Sequence, residues 1–110
     1  MKVLQVVPQI GLEASGPSYS VRALCEAVAR QGADVTLHVL RMGNTPEVEG
    51  VRVVLHDVRP RQAQRLGPSP TLCRSLAADA VSADILHTHS LWMLPNVYPA
   101  RAVRDTRCRL

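Results

Sequence analysis

KVLQVVPQIGLEASGPSYSVRALCEAVARQGADVTLHVL, residues 2–40, decides the fold. Residues 2–7 form a short apolar run rich in valine, with no helical period, ended by Pro8. Such a run at the start of a chain reads as a buried central strand. A loop from Gln9 to Pro17 follows, carrying Gly11 and Gly16. Ser18 stands in the position of an N-cap, where its hydroxyl would take up an orphan amide of the next turn. From Tyr19 to Gln31 the residues Val21, Leu24, Cys25, Val28 and Ala29 recur at intervals of three and four, giving one apolar stripe of a helix. Arg30 suits the negative end of the helix dipole, and Gly32 is placed to end the helix. Residues 34–40 then make a second strand with apolar residues on both faces.

The pattern continues outward. Gly43 to Pro46 is a loop, and Gly50 precedes a third strand, Val51 to Leu55. Residues 59–70 contain prolines and a glycine and read as irregular surface. A helix over about Pro70–Ser82 carries Leu72, Cys73, Leu76, Ala77 and Ala80 on one side. Asp84 to His89 is a fourth strand, and Leu94 to Arg104 is a helix broken near Pro95 and Pro99. Arg107 to Leu110 reads as the opening of another strand. Strand and helix alternate as in a parallel α/β sheet with flanking helices, and the expected strand order is 3-2-1-4. The sequence stops inside a strand, where domain boundaries rarely fall, so residues 1–110 are expected to be part of a domain.

Composition narrows the function classes. At 110 residues the chain fits one domain. Phenylalanine is absent, so valine, leucine and alanine must fill the core. Thirteen basic residues against nine acidic ones give a net charge of +4, and every basic residue except Lys2 is arginine. The arginines are scattered, which fits codon bias better than a patch for phosphate-bearing ligands or an anionic membrane surface, and with no interleaved aromatics and no known module a nucleic-acid surface is not expected. Cys25, Cys73 and Cys108 are far apart and form no C-x-x-C pair, so neither a disulfide framework nor a zinc site is expected. Val3 to Val7 is too brief for a signal peptide or a bilayer span, which points to a cytoplasmic protein. No G-x-S-x-G elbow, P-loop lysine or G-x-G-x-x-G fingerprint is present, which disfavours a serine hydrolase, a P-loop enzyme and a nicotinamide enzyme.

"KVLQVVPQI", "SGPSYSVRALCEAVARQGADVTLHVL" and "ADILHTHSLW", in that order, resemble the N-terminal domain of family-4-type GT-B glycosyltransferases. The matching positions are Gly16, Arg22, Leu24, Ala27, Val28, Gly32, Val35 and the run from Asp84 to His89. Departures are Pro17, where the family often has a second glycine, and Ala33, where a histidine is usual. The resemblance implies an incomplete Rossmann-like domain on the acceptor side of a retaining enzyme, which moves a sugar from a nucleotide-sugar to an acceptor glycan or lipid-linked sugar. The second domain, which holds most of the nucleotide-sugar and an E-x7-E motif, has no counterpart in these residues. The isolated chain is therefore expected to be inactive. No cofactor is implied, the nucleotide-sugar being a substrate, and no catalytic base is assigned. Many enzymes of this type meet lipid surfaces, so contact with the inner membrane face is implied, and Arg59, Arg61 and Arg65 could touch its phosphates or simply be solvated.

Gly16, Pro17 and Ser18 lie where the first strand gives way to a helix N-terminus, a place suited to phosphate, though the glycine could serve the turn alone. His87 and His89 are two apart on a strand and so share a face, at the carboxyl end where α/β sheets bind ligands. They could bind acceptor, hydrogen-bond loop backbone, or hold a metal for which no third ligand is suggested. Ser90 could cap the next helix or touch ligand. Trp92 could stack on a sugar ring or cover the sheet end. A different class of function is a truncated stand-alone binding module, self-associating through an open sheet edge.

Overall fold

Lys2–Val6 (β1) is buried from its second residue onward and occupies the middle of the sheet. Residues 1–8, 10, 17–41, 47–59, 68–89, 95 and 97–110 are described by the computed structural model, Pro17 and Ser18 by their backbone alone. The other elements are Pro17–Arg30 (α1), Asp34–Leu40 (β2), Arg52–His56 (β3), Pro70–Ala80 (α2), Ile85–Thr88 (β4) and Tyr98–Ala102 (α3). The strands pair in the order β3-β2-β1-β4, and every pairing is parallel. This is the Rossmann-like α/β arrangement, in the expected strand order 3-2-1-4.

Each face of the sheet has its own core. Val3, Val7, Val35, Leu37 and Val39 pack with Val21 and Cys25 of α1. Leu4, Val6, Leu40 and Leu86 pack on the other face with Leu72, Leu76 and Ala80 of α2 and Ala102 of α3. Alternation along the central strands thus feeds two helical layers, which is why they read as continuous apolar runs.

Element ends differ from the sequence reading for local reasons. Helix α1 begins at Pro17, not after Ser18. Proline lacks an N–H and has a helical φ, so it is well suited to the first helical position. Ser18 lies inside the first turn and is not the cap. Leu24 stands at the flank of the α1 stripe and is 38% exposed. On α2 the buried positions are Leu72, Leu76 and Ala80, a strict spacing of four, while Ala77 is exposed and Cys73 half-buried. Helix α3 is Tyr98–Ala102, with Pro99 in its first turn, where a missing N–H breaks no intrahelical bond. The expected strand at 107–110 is a single parallel bridge, Arg109 to Ile85, with Arg109 N–H donating to the Asp84 carbonyl at 3.0 Å.

The amino ends of the strands are tied together. The Asp34 and Asp84 amides donate to the carbonyls of Met1 and Lys2, each at 2.9 Å. The Lys2 ammonium donates to Ser82 Oγ at 2.8 Å. The carboxyl ends are where the chain turns away into connections.

Candidate functional site

From β1 the chain passes through α1 to β2 on one side, and β4 docks on the other side of β1. The connections leaving β1 and β4 therefore diverge to opposite faces, α1 on one and α3 on the other. In an open parallel sheet this switch point leaves a crevice outside the carboxyl ends, the usual place for a ligand.

The residues lining it are held by sheet register. Gln5 of β1 is aligned with His87 of β4. Since side chains aligned in a parallel pair share a face, both project to the α1 side. His89, just past β4, donates its backbone N–H to the Val6 carbonyl at 2.9 Å and so follows the same alternation. The two imidazole rings meet, their centroids 4.2 Å apart and their planes tilted by 43°. His87 is exposed and His89 half-buried.

Gln5 is 2% exposed, and its side-chain oxygen lies 2.7 Å from His89 Nε2. An amide oxygen only accepts, so in this bond His89 carries its proton on Nε2. Burial, and then the neighbouring His87, push the His89 pKa below its ordinary value. His89 is thus a neutral ring held in one orientation, suited to hydrogen-bonding hydroxyls more than to pairing with charge.

The β1–α1 connection is anchored at its start. Pro8 accepts from the Leu40 amide at 3.0 Å, and Ile10 is 2% exposed in the core under α1. Helix α1 then opens at Pro17 with no acidic residue in its first turn, so the positive end of its dipole lies at the carboxyl end of the sheet. Pro17 and Ser18 supply backbone to that first turn. Gly16, Ser90 and Trp92 lie outside the described residues. The structure thus brings together His87, His89 and the side chain of Gln5, which the sequence reading missed. Its signal was a single amide in an otherwise apolar strand, a group that needs a buried partner.

A separate cavity of about 700 Å³ lies at the other sheet edge, lined by Glu26, Glu47, Glu49, Val53 and Leu55 among others. Three carboxylates make it a poor host for a nucleotide diphosphate. Among the described residues no three His, Cys, Asp or Glu side chains are grouped to hold a metal ion. No helix among them is long and apolar enough to cross a membrane.

A family profile described as a glycosyl transferase 4-like domain matches residues 15–110. The match leaves out residues 1–14, β1 among them, and takes in α1, β4 and both histidines of the site. No curated protein matches the chain significantly. The chain belongs to the glycosyl transferase 4-like domain family.

Proposed function

We propose that this glycosyl transferase 4-like domain forms the acceptor side of a retaining GT-B glycosyltransferase, which moves a sugar from a nucleotide-sugar to an acceptor glycan or lipid-linked sugar. The observation that carries the reading is the Gln5–His89 bond at the β1–β4 switch point. It spends a buried polar group on fixing one imidazole at the place where this architecture binds ligands. His87 and His89 hydrogen-bond acceptor hydroxyls, and the first turn of α1 faces the donor phosphates.

A second Rossmann-like domain holds most of the donor. Transfer requires donor and acceptor to be fixed in one geometry, and one wall of a cleft cannot do that. The 110-residue chain on its own therefore binds acceptor weakly and transfers nothing. The protein works in the cytoplasm, and a lipid-linked acceptor would bring it to the inner membrane face, where the exposed Arg59 suits anionic headgroups.

Gln5→Leu tests this reading. The variant keeps the apolar bulk of the strand and removes the acceptor for His89. Acceptor affinity, measured by titration calorimetry against a panel of oligosaccharides, should fall about tenfold, the cost of losing one oriented hydrogen bond. Unchanged affinity in a variant that folds like the parent would contradict the role given to His89.

A further inference from the structure

Two of the four histidines are outside the crevice, and they too are paired. His38 of β2 and His56 of β3 lie on the α2 face of the sheet, 0% and 5% exposed. His38 Nε2 is 3.0 Å from Asp79 Oδ2 on α2, and His38 Nδ1 is 3.0 Å from His56 Nε2. The rings are within 16° of parallel with centroids 5.3 Å apart. That separation exceeds the nitrogen–nitrogen distance by about two ring radii, so the rings meet edge to edge, with an N–H aimed along the neighbour's lone pair.

The donors and acceptors fix a direction. The Asp79 carboxylate only accepts, so His38 carries its proton on Nε2 and offers a lone pair at Nδ1. His56 must then donate from Nε2. With both rings neutral, every contact in the chain is satisfied. With His56 in this tautomer a second proton on His38 would set two N–H groups against each other, so the lone pair open to a proton is His56 Nδ1.

We propose that the Asp79–His38–His56 chain is a proton-sensitive clasp that holds the edge strand β3 to β2 and α2 when neutral and releases β3 on acidification. Strand β3 pairs with β2 alone among the described strands, and His56 is the one fully buried side chain of its five. The only deep anchor of this strand is therefore the group that titrates. Four charges act on the two rings. Asp79 from α2, and Asp57 just after β3 in the case of His56, favour a proton. Arg52 of β3 and Lys2 of β1 oppose one on His38.

Burial, reinforced by His38, pushes the His56 pKa from its ordinary 6.5 to about 4. His38 is pushed down chiefly by burial, against the pull of Asp79. When β3 detaches, His56 regains its ordinary value, so the open form binds the proton first. Opening is thus favoured as pH falls from 6.5 towards about 4 and is suppressed above that window. Linkage sets the slope at up to about tenfold in the opening constant per pH unit for one such histidine.

Long-range nitrogen NMR and amide exchange on the 110-residue chain test the clasp. At neutral pH both rings should be neutral with the proton on Nε2. Below the ordinary histidine range the opening constants of the β3 amides, corrected for intrinsic exchange, should climb towards that tenfold per pH unit, while β1 stays closed. His56→Gln keeps a donor near the Nε2 position and removes the titration, so it should lose more than half of the slope. Charged rings or the opposite tautomers at neutral pH, a flat wild-type response, or a variant that keeps more than half of the slope would each overturn the proposal.

Discussion

Gln5 and His89 are 84 residues apart, and their bond shows what one residue can and cannot disclose. The two histidines of the H-x-H run were legible as a site because a spacing of two puts them on one face of a strand. That His89 is fixed by Gln5 was not legible, since only the register of β1 against β4 brings them together. The same holds for His38, whose partner Asp79 is 41 residues away on a helix of the opposite layer. Ser69 is a different case. It directly precedes Pro70, a serine-proline order typical of a helix start, yet it falls in a stretch that reads as irregular surface. In the structure it is fully buried, its hydroxyl accepts from the Leu72 amide at 3.3 Å, and its own amide donates to Tyr98 Oη at 3.0 Å. Ser69→Ala should therefore cost about 1–2 kcal/mol of stability in urea unfolding, the upper part of the usual capping range.

Among the elements, α1 was the most legible because three signals agree: an apolar stripe, a cation in the last turn and a glycine after it. Its start moved by two residues, since proline at the first helical position outweighed serine as a cap. Gly32 takes φ +95°, and a Cβ built there would meet nothing within 4 Å. Any cost of a side chain at this position is thus backbone strain alone. Gly32→Ala should lower stability by about 1–2 kcal/mol, read as a shift of the urea midpoint with an unchanged slope. Helix α3 was the least legible, because apolar spacing suggested a helix over Leu94–Arg104 and the helix is Tyr98–Ala102. Packing could not be read from that spacing, and it is Tyr98, reaching back to Ser69, that fastens this short helix to α2.

At the scale of the whole molecule, the alternation of strands and helices made a parallel sheet legible in the sequence, and its strand order is the expected 3-2-1-4. The order alone places the crevice between β1 and β4. It does not reveal the acidic cavity at the β3 edge, which depends on how residues 47–50 fold against α1. The two places carry opposite chemistry, one with two imidazoles and a helix N-terminus, the other with three carboxylates. They make rival predictions about where a sugar substrate binds. An amide NMR titration of the chain with nucleotide-sugars and oligosaccharide acceptors decides between them. Perturbations are expected at Val6, His87, His89 and the first turn of α1. Shifts confined to Glu26, Glu47, Glu49 and β3, or no shift with any member of the panel, would contradict this expectation.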